Sequence, residues 1–384
     1  MTTHAALGLA TALCSVALIL PASARTVELE PAGDVAIAAE IVAEGLENPW
    51  SIAFLPDGGT LVTERPGRLR LIGSAGLSEP IAGVPEVAAR GQGGLLDVVI
   101  DPGFAENGFV YLSYSEPGEG QSAGTAVGRG RLAVANGAAT LEDFTVIFRQ
   151  SPKVSARQHF GSRLVFNREG QLYVTLGDRG QQELAQDLTT HIGKVVRINT
   201  DGSVPTDNPF NSADSGGLPE IWSYGHRNPQ GAALHPETGE LWTVEHGARG
   251  GDEINLPQAG SNQGWPEISY GVHYSGAAIG QGTSAPGMAQ PLHYWDPSIA
   301  PSGMAFYTGD LFPAWQGDIF VGALRDEKIV RLDVEGESVV GETVIAENAF
   351  GRIRDVRAGP DGAIWFVTDE SDGVVGRIVP APQD

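Results

Sequence analysis

Eight polar residues with useful chemistry lie at the edges of apolar, strand-like runs along the chain. They are Gln92, His159, Asp178, Arg227, Asn228, Arg325, Arg352 and Arg354. Arginine presents a planar fork of donors that suits carboxylates, and a neutral imidazole can accept a proton near pH 7. If the fold brings these residues together, they form an anion-binding pocket with a single titratable base.

Taken one at a time, each of these residues also has an ordinary structural interpretation. A lone arginine beside a strand is usually solvated or paired with a neighbouring carboxylate, and a lone histidine such as His159 is usually structural. Gln92 and Asn228 could simply be turn residues. The functional hypothesis therefore depends on their joint placement at the same position of successive repeats.

A weak internal repeat supplies the elements that would position these residues. A strand-like run, a turn with glycine and a second strand-like run occur six times, at residues 52–64, 97–115, 163–178, 231–247, 304–324 and 356–370. Repeats of about 40–50 residues built in this way are typical of β-propeller blades. The sequence therefore predicts an all-β, six-bladed β-propeller, whose inner strand ends meet at one mouth of a central channel.

Composition agrees with many short strands joined by tight turns. The chain of 384 residues contains 52 Gly and 25 Pro, spread over its whole length. No segment after residue 24 shows sustained helical periodicity, and no Pro/Ser-rich or charged linker divides the chain. We expect residues 25–384 to form a single domain, in which about 60 residues per blade leave room for long functional loops.

The first 24 residues have the pattern of a secretory signal peptide. An apolar stretch from Ala5 to Leu20 is followed by the small residues 22–24, and it is short for a membrane span. The alternative is a retained membrane anchor. Cys14, the only cysteine, lies within this stretch. We therefore expect a periplasmic or secreted protein with no disulfide, no thiol chemistry and no stable membrane insertion.

The acidic balance of the chain excludes some partners. There are 47 acidic and 24 basic residues, for a formal net charge of −23. Nucleic-acid binding needs a basic surface, so we expect no nucleic-acid partner and no attraction to an anionic membrane. No phosphate-binding loop motif is present, which argues against a nucleotide cofactor.

Six segments resemble a known family. They are GQGGLLD (91–97), HFGSRL (159–164), TLGDRG (175–180), GHRNPQG (225–231), EHGARGGDEINL (245–256) and RIRDV (352–356). Together they are similar to the soluble pyrroloquinoline quinone (PQQ)-dependent sugar dehydrogenases, and more closely to their bacterial aldose sugar dehydrogenase branch. The resemblance covers about residues 45–380 and implies a six-bladed propeller, in agreement with the repeat count.

The resemblance also implies an activity. Aldose sugars would be oxidised at the anomeric carbon to lactones, with His159 as the general base and PQQ as the hydride acceptor. Arg227 would also serve the reaction by contacting a quinone oxygen, together with Asn228. Gln92 and Asp178 would shape the sugar and cofactor site.

Further residues would hold the cofactor and its metal. By the same resemblance the carboxylates of PQQ would be bound by Arg325, Arg352 and Arg354. The backbone carbonyls of Gly247 and Ala248 would bind a Ca²⁺ that also touches PQQ. Asp252 or Glu253 could bind a second, structural Ca²⁺, although a loop carboxylate is more often simply solvated.

Three positions depart from the best-known glucose dehydrogenases of the family. Arg325 stands where they have Lys, and Ala248 where they have Pro. Gln158 stands where they have Asp, directly before the base, which leaves the orientation of His159 open. Trp295 could stack on a sugar or on the cofactor, or it could pack between blades.

Two other classes of function remain open at this stage. One is a metal-dependent, lactonase-type propeller hydrolase, which would need several carboxylates aimed into the channel. The other is a non-catalytic propeller that binds glycans or proteins. A dehydrogenase would need an aldose substrate and a separate electron acceptor (a cytochrome, a quinone or a dye), because the chain has no C-x-x-C-H haem motif. The preferred sugar, the acceptor and the oligomeric state are left open by the sequence.

Overall fold

Six antiparallel sheets account for most of the regular structure. The computed structural model describes residues 25–135 and 138–382. Five of its sheets have four strands and one has five, and each sheet is a blade of a propeller. The prediction of an all-β, six-bladed β-propeller is confirmed. The predicted signal peptide, with Cys14, lies outside the described residues.

The chain enters through two strands of the last blade and then builds the blades in order. These two strands are β1 (Arg25–Glu28) and β2 (Ile37–Leu46). Blades 1 and 2 comprise β3 (Pro49–Phe54), β4 (Thr60–Glu64), β5 (Arg68–Gly73) and β6 (Gly76–Leu77), then β7 (Leu95–Ile100), β8 (Phe109–Pro117), β9 (Ala123–Ala135) and β10 (Ala138–Arg149).

The remaining blades repeat the pattern. Blades 3 and 4 comprise β11 (Leu164–Phe166), β12 (Leu172–Thr175), β13 (Lys194–Ile198) and β14 (Ile221–Tyr224), then β15 (Pro229–Leu234), β16 (Leu241–Glu245), β17 (Asp252–Asn255) and β18 (His293–Trp295). Blades 5 and 6 comprise β19 (Pro301–Phe306), β20 (Ile319–Ala323), β21 (Lys328–Glu335) and β22 (Ser338–Ile345), then β23 (Ile353–Ala358), β24 (Ile364–Thr368) and β25 (Gly373–Pro380). Short helical segments lie at Phe104–Asn107, Gln182–Ala185 and Pro313–Trp315.

The two ends of the chain close the ring. Strand β2 pairs antiparallel with β25, so the first and last strands share blade 6. Glu40 and Arg377 are partners in this register, and their side chains form an ion pair at 2.6 Å. The first strand of each numbered blade, including β23 in blade 6, contacts the first strands of both neighbours. Pairing of the two ends fixes the circumference without leaving an open sheet edge at the junction.

The hydrophobic core is divided among the interfaces between blades. Each pair of neighbouring blades shares one cluster of buried side chains. Trp242 fills the interface of blades 4 and 5, and Trp365 that of blades 6 and 1. Because inner strands such as β24 are buried on both faces, their apolar residues occur in runs rather than in alternation.

One face of the ring collects the residues that the sequence singled out. Neighbouring strands are antiparallel, so the first strand of a blade begins, and the second ends, at the same face. We call this the upper face. The eight polar residues with which the sequence analysis began all lie in loops of this face or at the adjoining strand ends.

A buried charge network fills the channel next to this face. The guanidinium of Arg163 contacts Asp97 at 2.9 Å and Asp355 at 3.0 Å, and that of Arg357 binds the same two carboxylates. Nε of Arg163 also donates to the carbonyl of Gln230 at 3.0 Å. The buried Arg163 and the half-buried Arg357 are matched by two buried carboxylates, which leaves this part of the channel neutral.

No helix in the described ranges is both long enough and apolar enough to span a lipid bilayer.

Candidate active site

A histidine and a carboxylate form the centre of the upper face. His159 precedes β11, Asp178 follows β12, and His159 Nδ1 lies 2.6 Å from Asp178 Oδ1. The carboxylate is buried, and the His159 side chain is 16 % exposed. Gln158, whose amide accepts from the Arg157 backbone, does not orient the ring. Asp178 does so instead, which answers the question raised by the departure at position 158.

The backbone at this site depends on a left-handed conformation at His159 and on a close approach at Gly177. His159 has a φ of 55°, and its N–H donates to Gln92 Oε1 at 2.6 Å. The His159 backbone also lies so close to Gly177 that a Cβ there would meet the His159 carbonyl oxygen at 2.0 Å. The Gly-Asp pair after β12 therefore has two roles. The glycine lets its own backbone approach that of His159, and the aspartate contacts the imidazole.

The surroundings of His159 favour its neutral form. Burial is the largest influence and lowers the pKa of His159, and the positive charges of Arg227 and Arg179 lower it further. The hydrogen bond to Asp178 acts in the opposite direction without reversing the shift. The pKa of Asp178 is itself lowered, because its hydrogen bonds to His159 and Gly180 outweigh its burial. An ionised Asp178 can only accept a hydrogen bond, so Nδ1 of His159 carries the proton and Nε2 is the basic nitrogen.

A tryptophan links the base to a neighbouring arginine. Trp265 Nε1 donates to Asp178 Oδ2 at 2.8 Å, and the Arg227 guanidinium lies 5.3 Å from the centre of the Trp265 ring. Arg227 is buried, and its Nη1 donates to the His246 carbonyl at 3.1 Å. Asn228, the next residue, accepts from Gly161 N at 3.2 Å. Trp265 was not among the residues predicted from the sequence.

Replacing Trp265 with Phe tests this link. The variant keeps an aromatic side chain but removes the indole N–H that donates to Asp178. The carboxylate that orients His159 therefore loses one of its fixed partners. A hydrogen bond to a charged group contributes about 1.5–3 kcal/mol, and we expect kcat to fall by roughly tenfold. The matched control is Trp222→Phe, which removes an indole donor to the Pro257 carbonyl. Equal kcat values in the two variants would contradict the link.

An anion pocket lies beside the base, at the upper end of the channel. Its volume is about 350 Å³, and its walls include Arg65, Arg352, Arg354 and Asp369. The Asp369 carboxylate lies 2.5 Å from the guanidinium of Arg354, 3.6 Å from that of Arg352 and 3.9 Å from that of Arg65. These arginines hold the pKa of Asp369 well below its usual range, despite its burial. Three cations share one carboxylate, so the pocket keeps a positive charge on a strongly acidic protein.

Several buried nitrogens of this pocket and of the adjoining Arg227 and Asn228 have no hydrogen-bond partner among the described residues. They are Nε of Arg65, Arg227 and Arg354, Nδ2 of Asn228 and Nε2 of His246. A buried polar atom without a partner costs about 1–3 kcal/mol, so such a cluster in one place indicates a polar ligand. Burial and the nearby Arg227 and Arg354 lower the pKa of His246 well below its usual value, which leaves it neutral in the wall of the pocket.

Two of the residues singled out by sequence lie elsewhere. Arg325 is exposed, and its Nη1 donates to the Ser298 carbonyl at 2.5 Å at the rim of the upper face. Trp295 lies in the core between blades 4 and 5, where its indole donates to Glu342 at 3.0 Å. For Trp295 the structure agrees with the packing alternative and not with stacking on a ligand.

Two of the predicted metal residues, Gly247 and Glu253, line a small cavity next to Arg227. The cavity has a volume of about 20 Å³, and its lining includes Gly247, Glu245 and Glu253. Ala248 is buried and is not part of this lining. Asp252 is fully used by the protein, since it accepts from the backbone of Gly247, Ile299 and Ala300.

Glu253 differs from its neighbours in having spare acceptor capacity. Asn255 donates to it at 3.2 Å. Burial and the nearby Glu245 raise the pKa of Glu253 to about 8. Over the described ranges, no group of three or more His, Cys, Asp and Glu side chains is arranged to hold a metal ion. The implied metal site relies instead on the carbonyls of Gly247 and Ala248.

Arg65, His246 and Asp369 are functional candidates that the sequence analysis missed. Each follows the second strand of its blade, as Arg179 and Arg325 do in theirs. The signal was therefore available, because the position just after the second strand of each repeat lies on the upper face. Asp178 was among the residues predicted for the site. Its contact with His159, which is 19 positions away in the chain, was not predicted.

The fold and the site together define a class of protein. A basic pocket beside a carboxylate-oriented imidazole, at the mouth of a six-bladed propeller, suits an enzyme that binds an anionic ligand next to a proton acceptor. The family model described as Glucose / Sorbosone dehydrogenase matches residues 46–377. The chain belongs to this family and is a sugar oxidoreductase.

Individual relatives agree with this assignment. The chain is 49 % identical to aldose sugar dehydrogenase YliI of Escherichia coli (strain K12), over 89 % of this chain and 92 % of the relative. The crystal structure of the soluble aldose sugar dehydrogenase from Escherichia coli in its apo-form is similar with a TM-score of 0.87 and 48 % identity, covering 90 % of this chain and all of that one. The PQQ-bound form of aldose sugar dehydrogenase from Streptomyces coelicolor is similar with a TM-score of 0.73 and 26 % identity, covering 94 % and 99 %.

Proposed function

We propose that this protein is a PQQ-dependent aldose sugar dehydrogenase that oxidises the anomeric carbon of its substrate to a lactone. The observation that carries the proposal is the His159–Asp178 pair beside a pocket lined by Arg65, Arg352 and Arg354. One part is a proton acceptor and the other is an anion site. A dehydrogenase of this kind needs both within reach of one substrate.

The pocket suits PQQ. The group is a tricarboxylate, and the pocket offers three guanidinium groups around a single carboxylate together with buried donors that lack partners. Arg352 and Arg354 would bind carboxylates, and Arg65 joins them as a third cation. Arg325 lies at the rim, where it would act only on a carboxylate that reaches the edge of the pocket. When bound, PQQ supplies the acceptor for the two electrons of the substrate.

His159 would remove the proton of the anomeric hydroxyl. Its Nδ1 is held by Asp178, so Nε2 is the nitrogen that can accept the proton as the hydride leaves the anomeric carbon. The lowered pKa of His159 keeps it neutral at pH 7. A positioned base of this kind contributes roughly 10²–10⁴-fold to the rate. Asp178 would then stabilise the imidazolium that forms.

Arg227 and Asn228 would act on the oxygen that gains charge. Arg227 is held from two sides by Glu245, which accepts from its backbone N–H, and by the His246 carbonyl. Its Nε and the Nδ2 of Asn228 have no hydrogen-bond partner among the described residues. Fixed donors aimed at developing negative charge are usually the largest single contribution to catalysis. Gln92, held by the His159 backbone, would line the sugar side of the site.

A calcium ion would complete the site through oxygen ligands. The carbonyls of Gly247 and Ala248 follow β16 on the upper face, and carbonyl oxygens are ligands that Ca²⁺ accepts. Of the two carboxylates considered for a further Ca²⁺, Glu253 is the better candidate because the oxygens of Asp252 already accept protein donors. Burial and the nearby carboxylate of Glu245 raise the pKa of Glu253, and a bound cation would offset both effects.

Location and partners follow from the same proposal. The apo-form relative from Escherichia coli is described as soluble, and the N-terminal pattern predicts export to the periplasm or beyond. Electrons would pass to a separate acceptor, such as a cytochrome, a quinone or a dye. Membership in a dehydrogenase family weighs against the two rival functions, the metal-dependent hydrolase and the non-catalytic binding propeller.

Reconstitution tests the proposed function. Protein stripped of Ca²⁺ and quinone should reduce a dye with an aldose only after both PQQ and Ca²⁺ are added, because each supplies what the side chains lack. The controls add PQQ with EDTA, or Ca²⁺ alone. Full activity in either control, from protein shown to be free of both groups, would contradict the proposal.

A further inference from the structure

Arg179 follows the orienting carboxylate and is completely buried. Its φ of 52° and that of Gly180, 70°, turn the chain sharply after β12. The guanidinium donates to the carbonyls of Gln158 at 2.9 Å, Ala123 at 2.9 Å and Ala156 at 2.5 Å. These carbonyls belong to the loop that carries His159 and to the first residue of β9.

The same guanidinium lies over the aromatic ring of the residue on the other side of the base. Its carbon is 3.5 Å from the centre of the Phe160 ring. Arg179 therefore touches the residue before His159 and the residue after it. The left-handed φ of His159 is held by contacts of this kind, since a non-glycine residue adopts it only when its surroundings require it.

In the part of the chain that the structure describes, Arg179 forms no salt bridge. The charge of the adjacent Asp178 acts on it, but the Asp178 carboxylate binds His159 instead. Burial lowers the pKa of Arg179 to about 10, so the group stays charged at neutral pH. A buried cation without a counter-ion is costly, so its position directly behind the base calls for an explanation.

We infer that Arg179 is a positioning residue for His159, which fixes the backbone on both sides of the base and places a positive charge behind the imidazole. The inference rests on the proposed role of His159. Asp178 faces the ring and favours its protonation, while Arg227 on the neighbouring blade acts with Arg179 to oppose it. His246 is the other titratable neighbour, and burial keeps it neutral.

The two parts of this role can be separated with two variants. Arg179→Lys keeps the charge, but a single ammonium cannot reproduce the planar fork that reaches three carbonyls and covers the Phe160 ring. Arg179→Met keeps much of the length and removes the charge. The matched control is Arg168→Met, whose guanidinium donates to the carbonyls of Pro236 and Glu237 at 2.6 and 2.9 Å, away from the site.

The experiment measures the pKa of His159 directly and the activity separately. Full-length protein labelled with ¹³C-histidine, with and without added PQQ and Ca²⁺, is titrated by NMR, and the His159 signal is assigned with the His159→Asn variant. We expect R179M to raise this pKa by roughly one unit and to lower kcat at pH 7 by about tenfold or more. R179K should keep the pKa of His159 within a few tenths of the wild-type value. It should still lower kcat, because a displaced base reacts slowly. The control should change neither.

Different results in R179M and R179K would overturn the inference. A folded R179M variant with an unchanged pKa of His159 would remove the electrostatic role, and a wild-type kcat in R179K would remove the positional one. Losses that follow Tm alone, with the pKa unmoved, would make Arg179 merely structural. If R179M does not fold, R179K decides alone through its kcat. A shifted pKa in R179M together with full activity in His159→Ala would uphold the effect of Arg179 on the imidazole and refute the proposed base.

Discussion

His159→Ala should lower kcat by about 100-fold or more and leave PQQ binding in place. The base contributes roughly 10²–10⁴-fold by taking the anomeric proton, whereas the carboxylates of the cofactor would be held by arginines in the neighbouring pocket. Steady-state dye reduction gives kcat, and calorimetry with PQQ gives the affinity. Loss of both would make His159 a cofactor-site residue. Near-normal turnover would refute the mechanism.

The pH profile supplies an independent check of the same residue. The protonated imidazole cannot accept a proton, so activity is present above the pKa of His159 and is lost as the pH falls through it. Burial and the nearby arginines lower this pKa from its ordinary value of 6.5, so the acid limb of the wild-type profile should lie below about pH 6.5. The control is His273→Ala, in a loop of blade 4. This variant should have the same acid limb and the same kcat as the wild type.

Replacing Arg352 and Arg354 together by Ala should weaken PQQ binding by about 3 kcal/mol, or roughly two orders of magnitude in Kd. Charge-assisted hydrogen bonds contribute about 1.5–3 kcal/mol each. The larger share should come from Arg354, which is buried, because the Arg352 side chain is 42 % exposed and solvent screens its charge. Calorimetry with PQQ in the presence of Ca²⁺ measures the change.

The double variant needs a control for its effect on the fold. Without these two arginines, the Asp369 carboxylate keeps only Arg65, at 3.9 Å, and Asn48 as partners, so Tm should fall as well. Arg131→Ala removes a guanidinium from the outer part of blade 2, where it donates to the Asn107 carbonyl, and should leave PQQ binding unchanged. Unchanged PQQ affinity in the folded double variant would remove the pocket assignment.

The repeat was enough to predict the architecture. Pairs of apolar runs joined by glycine turns are local patterns, and six of them can bury their faces only against one another. From antiparallel pairing it follows that positions before the first strand and after the second strand of a blade share one face. This is why His159, Arg227 and Arg354, which are far apart in the chain, could be placed together from the sequence.

The partners of these residues were decided by the tertiary structure. Asp178 orients His159 because Gly177 lets two loops approach and because the φ of 55° at His159 turns its ring toward the carboxylate. Asp369 of blade 6 reaches Arg65 of blade 1 only because the closed ring places these two blades side by side. Arg325 shows the opposite case, since it has the expected position in its repeat but points to the rim. Strand periodicity sets which face of the ring a residue occupies. The direction and partner of its side chain depend on loop conformations and on contacts between blades, which no local pattern of residues encodes.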